Sequence, residues 1–467
     1  MSLFIIILRT ELRRLLRGRW LPLLWLAFAG LCAYAAANGA TWTEARRAAI
    51  GAIVDEERAT HLARRTQIVE ELTPQNKSRY GGAIYATAFS RRATLAPGAL
   101  AAITVGQAEG YPMAAKIFPF VASNTIHDDF TAGMENPSVL AAGRFDLAFV
   151  IVWLLPLLVL AGSFDLFASE RERGLAPWLL SQPVSLARLL AAKASARALL
   201  VVAPLVAIVL ASVWWNAPSA SLALLVVSAL SALYGLFWLA LASLVNLFAR
   251  NAAQAALGCV AGWLVLVVLA PALALGLADL AAPASSQAER VNALRAQAMQ
   301  ARAEVRAQGA DPAPREPAPN IPDSLRRRAV EVARGEQLIQ AALAPYRQRD
   351  AERHAWLDAL RVVSPAIALQ DALERLAGAD AARALRFQQQ AHHFLLEVRA
   401  LANRYLDQDR LLTAADYDRG FPSFVLREPP IGERAKPLLF DAGVLGAATL
   451  ALLLLARRRL RHATFTD

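Results

Sequence analysis

Six apolar runs dominate this chain of 467 residues, at 20–37, 145–168, 196–215, 220–249, 252–278 and 438–456. In hydrocarbon a backbone must satisfy its own N–H and C=O groups, so a spanning run folds as a helix. About 20 residues at ~1.5 Å each match a bilayer core of ~30 Å. A chain with this many such runs is confined to a bundle of membrane-crossing helices. Composition agrees: 56% of the residues are hydrophobic, and mean hydropathy is +0.36, above what soluble domains carry. The expected fold is an all-α polytopic membrane protein, with six transmembrane helices and two mainly helical extracytoplasmic insertions.

The net charge is +11. A basic balance can indicate nucleic acid, but no recognised nucleic-acid motif accompanies it, and no such partner is expected. The arginines instead cluster at one set of span ends. Arg9, Arg13, Arg14, Arg17 and Arg19 precede the first run, the link 169–195 is basic, Arg250 ends the fourth run, and Arg457, Arg458, Arg459 and Arg461 follow the last. The short link 216–221 has no Lys or Arg. The positive-inside rule then places both termini in the cytosol, with 457–467 as a cytosolic tail. Residues 1–19 alternate apolar and basic positions at helical spacing and read as a cytosolic interfacial helix. Ala35-Ala36-Ala37 resembles a signal-peptide cleavage site. The run before it exceeds the h-region of about 7–15 residues, so a retained span is expected.

Regions 38–144 and 279–437 are the exported insertions. Thr43 to Leu72 is helix-prone and stops at Pro74. Gly81-Gly82, Pro97-Gly98, Gly110-Tyr111-Pro112 and Pro119 punctuate an irregular stretch after it. In the second insertion, Ser286 to Gln308 reads as a helix and 311–322 as a Pro-rich linker. A helix capped by Asp323 is expected to reach about Leu343, with further helices over 351–363, 366–376 and 381–406. Cys32 and Cys259 lie inside apolar runs and read as buried small hydrophobes, with no disulfide framework.

Several chemistries lack their signatures. There is no G-x-x-x-x-G-K-[ST] phosphate loop, no G-x-S-x-G elbow and no H-E-x-x-H helix. Asp146, Asp165, Asp279 and Asp441 sit at span ends, which argues against a proton- or sodium-coupled carrier. His392-His393 are adjacent, whereas helical metal ligands want spacings of three or four. His127-Asp128-Asp129 could offer ligands to a metal, but a solvated loop is the plainer reading. No catalytic residue and no metal site are expected.

The link between the second and third runs carries the functional signal. Leu179, Leu180, Leu186, Leu189 and Leu190 can share one helical face, with Arg188 and Lys193 off it. That describes a helix on the membrane surface, within reach of a cytosolic partner. The order Glu170-Arg171-Glu172-Arg173-Gly174, then Leu179-Leu180-Ser181-Gln182-Pro183-Val184-Ser185, then Arg188 and Lys193, resembles the permeases of ABC-2-type transport systems. Leu175-Ala176 and Ala192-Lys193 depart from the usual Thr-Leu and Gly-Lys. Ser364-Pro365-Ala366, Ala377-Gly378-Ala379-Asp380, Phe387, Asp416-Tyr417 and Phe421-Pro422-Ser423-Phe424 are similar to a branch of that family with large extracytoplasmic insertions.

The resemblance implies a non-catalytic permease subunit in a bacterial cytoplasmic (inner) membrane. It pairs with a second copy or a sister permease. The cytosolic loop 169–195 would hold a coupling helix that docks on a separate ABC ATP-binding subunit. ATP and Mg would sit on that subunit, and this chain would bind no cofactor. The coupling residues it implies are Glu170, Arg171, Glu172, Arg173, Gly174, Ser181, Gln182, Pro183, Arg188 and Lys193. Glu170, Arg171, Glu172, Arg173 and Arg188 would contact the partner through charge-assisted bonds. Gly174 and Pro183 would break the helix. Export is the expected direction, and the substrate is not legible. The competing expectation is a machine that moves the exported helices against a periplasmic envelope partner while nothing crosses.

Overall fold

The computed structural model describes residues 3–71, 85, 87–127, 144–175, 185–283, 286–307 and 320–462. The chain is an all-α polytopic membrane protein. Helix α1 (Leu3–Arg17) lies ahead of α2 (Trp20–Glu71), a single helix of 52 residues that runs without a break from the first apolar run into the first insertion. Among the described residues, α2 is one of five helices long and apolar enough to cross a membrane. The others are α5 (Leu186–Asn216), α6 (Ser221–Phe248), α7 (Ala252–Ala281) and α13 (Ile431–His462). The second apolar run forms a shorter helix, α3 (Leu147–Ala161), capped by Asp146, whose carboxylate accepts from Phe149 N at 2.8 Å. A turn over 162–167 leads to α4 (Ala168–Glu172).

One core joins these helices. Leu21, Phe28, Cys32 and Ala35 of α2 are fully buried in it, with Leu155 and Val159 of α3, Leu205 and Val209 of α5, and Tyr234 and Trp238 of α6. The Ala35 site is thus packed inside the bundle. Both cysteines are buried and free, as small hydrophobes are. α3, α5 and α7 each contain a π-helical segment, at Val150–Leu154, Ala198–Val202 and Leu264–Leu269.

The second insertion holds α8 (Gln287–Ala307), α9 (Asp323–Leu360), α10 (Pro365–Ala377), α11 (Ala381–Asp407) and α12 (Ala414–Arg419). Two expectations are corrected here. α9 is one helix of 38 residues that passes through Pro345 rather than stopping near Leu343. Its buried side packs on α8, with Gly335 against Ala301, and that packing outweighs the bond that proline removes. Asp323 lies in the first turn, and the cap position is Pro322 with no side-chain bond. The stretch expected to be irregular also holds a small antiparallel sheet, β1 (Arg91–Thr94) with β2 (Ala114–Ile117), paired Arg91↔Ile117 to Thr94↔Ala114.

The two insertions share a second core, in which Tyr85, Phe89, Ile117 and Phe120 meet Phe387, Phe394 and Val398. A buried ion pair braces it. Glu336 on α9 accepts from Ser123 Oγ at 2.6 Å and lies 3.4 Å from Arg399 on α11, which donates to Pro119 O at 3.1 Å and Val121 O at 2.9 Å. His61 of α2 is in hydrogen-bond contact with Arg91. Burial first, and Arg91 second, push its pKa down to about 4. The unfolded imidazole titrates near ~6.5, so it takes up a proton that the folded one refuses. His61 therefore costs stability progressively as pH falls from about 6.5 towards about 4, and none above. His61→Gln is expected to flatten that limb of a pH–stability curve measured by thermal unfolding. An unchanged slope would show that other groups govern it.

Within 279–437, α10 packs on the bundle: Ala366, Ala368, Leu369, Ala372 and Leu373 join the core of the apolar helices. Ser364 caps α10 by accepting from Ala366 N, and its hydroxyl also donates to Leu266 O in the π segment of α7, at 2.5 Å. Asp441 of α13, whose side chain is fully buried, accepts from Arg361 at 3.2 Å and Arg375 at 2.7 Å.

Candidate coupling site

The link between α3 and α5 is built around Asn246, a fully buried amide on α6. Its Oδ1 accepts from Phe167 N and Ala168 N, both at 3.0 Å, which caps the start of α4. Its Nδ2 donates to Phe164 O at 2.9 Å and Ala242 O at 2.8 Å. Every polar valence of that amide is used, and the turn is pinned to α6. α4 then runs for five residues and ends at Gly174, which takes φ +69, a left-handed conformation that suits glycine. Residues 176–184 lie outside the described part, and with them Ser181, Gln182 and Pro183. The chain returns at Ser185, whose hydroxyl caps α5 by accepting from Arg188 N at 3.4 Å.

Leu186, Leu189 and Leu190 form the buried face of the first turns of α5. They pack with Phe167, Leu247, Ala456, Ile7 and Leu460, so α1, α5, α6 and α13 converge there. Lys193 does not lie off that face. It follows Leu189 by four positions and Leu186 by seven, so helical geometry returns it to the same side. It is 4% exposed, ion-paired with Glu170 and donating to Leu166 O at 3.1 Å. Arg197, one turn further, is 2% exposed. It pairs with Glu11 of α1 and, at 3.2 Å, with Asp165. Arg14 of α1 lies 3.7 Å from Glu170 and 3.8 Å from Glu11. Three carboxylates and three cations thus knit α1, the turn after α3, α4 and α5 together.

Arg171 donates to Ala249 O at 2.7 Å, a carbonyl just past the end of α6, and lies over the Phe167 ring at 5.3 Å. Burial first, and then Arg459, lower its pKa. Glu172 accepts from Ala252 N at 3.0 Å. Ala252 opens α7, where an unpaired N–H and the positive end of the helix dipole both favour a carboxylate. Toward solvent the site shows Glu172, Arg173, Gly174, Leu175, Ser185, Ala187, Arg188 and Ala191.

The match to the model of ABC-2 family transporter proteins covers residues 5–457. The chain belongs to the ABC-2 transporter family. No curated protein matches it. As an ABC-2 permease it is the multi-pass membrane component of an ABC transporter, in a family whose members work with an ABC ATP-binding subunit.

Of the residues singled out in the sequence, the permease brings Glu170 and Lys193 together inside the fold. It turns Arg171 and Glu172 onto the ends of α6 and α7, and it leaves Arg173 and Arg188 to solvent. Glu11, Arg197 and Asn246 were missed. Each had a signal. Glu11 is the one acid in residues 1–19, Arg197 repeats Lys193 one turn on, and Asn246 is a lone amide in an apolar run. A polar group so placed must find partners.

Proposed function

We propose that residues 165–197 form the coupling element of this permease, through which a separate ATP-binding subunit moves the bundle. The observation that carries the reading is the buried ionic network. It supports a short exposed surface, centred on Arg173, Gly174, Leu175 and Arg188, on a mount that joins α1, the turn after α3, α4 and α5. A push on that surface would be transmitted as a rigid-body displacement, because packed elements shift as units. Within this reading Arg173 and Arg188 contact the partner, while Glu170 and Lys193 hold the mount. Substrate movement outward across the cytoplasmic membrane, by a pair of permease copies, completes the assignment.

The test is co-purification in mild detergent. The wild-type chain is expected to bring an ATP-binding subunit with it. Arg173→Glu with Arg188→Glu should cut that recovery at least about tenfold, since like-charge contacts at an interface cost several kcal/mol. Recovery equal to wild type from a correctly folded double variant would end the docking assignment.

A second reading has its own observation. α2 continues from the bundle into the first insertion over 52 residues without a break. Such a rod, ~78 Å long at ~1.5 Å per residue, could carry displacement outward to an envelope partner with nothing transported. A sealed seam between two copies would favour it, and an open groove would favour transport.

A further inference from the structure

Each π-helical segment of the bundle ends two residues before a proline. Val150–Leu154 precedes Pro156, Ala198–Val202 precedes Pro204, and Leu264–Leu269 precedes Pro271. The pattern has a physical origin. The residue after each segment bonds five positions back: Leu155 to Val150 O, Ala203 to Ala198 O, Ala270 to Val265 O. The proline next in line has no N–H to give. Two successive carbonyls therefore lose their helical donor before the α pattern resumes.

In all three helices a side chain from another element supplies a donor to one of those carbonyls. Tyr234 of α6 donates to Val152 O at 2.9 Å, Trp25 of α2 to Leu200 O at 3.1 Å, and Ser364 to Leu266 O at 2.5 Å. In a membrane an unanswered carbonyl is expensive, so each donor holds its π segment in place.

The joint in α5 stands apart, because it lies immediately after Arg197. It separates the first turns of α5, which carry Arg188, Lys193 and Arg197, from the apolar part that follows Pro204. We propose that residues 198–204 are the hinge through which movement of the first turns of α5 enters the bundle, and that Trp25 is its positioning residue. The proposal rests on the coupling reading for the direction of the push, whereas the joint and its donor are read from the fold alone. α5 has two hydrogen-bond registers at this point, π and α. The Trp25 indole satisfies Leu200 O, the carbonyl that Pro204 leaves without a helical donor in either register, and so pins the joint. Displacing α2 against α5 withdraws that donor and frees the joint to bend. Pro204 keeps the α register from closing, because it cannot bond Leu200 O itself.

The experiment is hydrogen exchange on the full chain in detergent, following peptides over 198–205, with three variants. Trp25→Phe keeps an aromatic ring, though a smaller one, and removes the N–H, and should speed exchange there about tenfold, the loss expected for one satisfied bond in an apolar setting. Pro204→Ala restores an N–H that can reach Leu200 O, and should slow exchange below wild type. Trp25→Phe with Pro204→Ala should return to wild-type protection or better, which a loss of packing at position 25 would not do. Unchanged exchange in Trp25→Phe, or failure of Pro204→Ala to rescue it, would overturn the proposal. Co-purification of the ATP-binding subunit is expected to be unaffected by all three, so the hinge and the docking surface fail separately.

Discussion

Arg197→Met is expected to release α1 from the bundle and to cost about 3–5 kcal/mol of stability, the usual result of deleting one member of a buried ion pair. The size follows from what remains. Arg197 is 2% exposed and is the nearest cation to both Glu11 and Asp165. Glu11 is 5% exposed, and its other cation, Arg14, stands 3.8 Å away. Without Arg197 its charge would have to stay in a poorly solvated pocket, take up a proton, or leave with α1. Leaving is the easiest course, because α1 joins the rest through this network and a short apolar seam that includes Ile7.

Two controls separate charge from packing. Arg197→Met with Glu11→Gln should recover much of the loss, since a neutral pair of similar volume does not need the missing cation. Arg197→Lys should fall between, because one ammonium cannot serve two carboxylates in the way a guanidinium fork can. Thermal unfolding in detergent gives the stability. Protease cleavage ahead of Trp20 reports whether α1 has come away. A single variant as stable as wild type, with α1 still protected, would show that the network contributes nothing net.

The bundle was legible because apolar length is a direct statement about hydrocarbon thickness, and it needs no knowledge of partners. The insertions were harder. Their helices α8, α10 and α11 follow from polar and apolar spacing, but the continuity of α9 through Pro345 is settled by its packing on α8. The sheet β1–β2 is four residues a side, too short for a period of two to register. α10 is the instructive case. Its apolar face is legible from the helical spacing, but nothing local says what that face packs against. Only the fold shows that its apolar face meets the same core as the spans.

The coupling segment shows the same division. Its existence is a matter of local pattern, a polar and basic link between two apolar runs. Helical spacing alone returns Lys193 to the buried face of α5, but the partner that Arg197 meets there, Glu11 of α1, lies 186 residues earlier in the chain, and no local pattern encodes that. The residues that stand out in the linear motif are therefore of two kinds. Arg173 and Arg188 face solvent, whereas Glu170 and Lys193 answer each other. Glu170→Ala is accordingly expected to unsettle the mount before it affects any partner, because it strands a buried Lys193.

Asp441→Ala carries the second large effect. The Asp441 side chain is fully buried on α13, at the one place where that helix meets Arg361 and Arg375. Arg361 lies just ahead of α10 and Arg375 in its last turn, so this carboxylate fastens the second insertion to the last apolar helix. Its removal should cost about 3 kcal/mol, at the lower end for a buried pair, because the arginines keep other acceptors. Arg361 retains Asp358 at 3.7 Å and Asp371 at 3.9 Å, and Arg375 retains Asp371 at 3.5 Å. Arg361 also stays over the Phe440 ring at 5.0 Å. The expected result is therefore local: α10 loosens while α11 and its aromatic core hold. Hydrogen exchange over 361–377 should rise, with 387–406 unchanged. Asp441→Asn, which keeps the volume and one acceptor, should show about half the effect, as expected when a charged bond becomes a neutral one. A uniform rise across both segments would mean that Asp441 supports the whole insertion. No rise in either would mean that the apolar face of α10 alone holds it in the bundle.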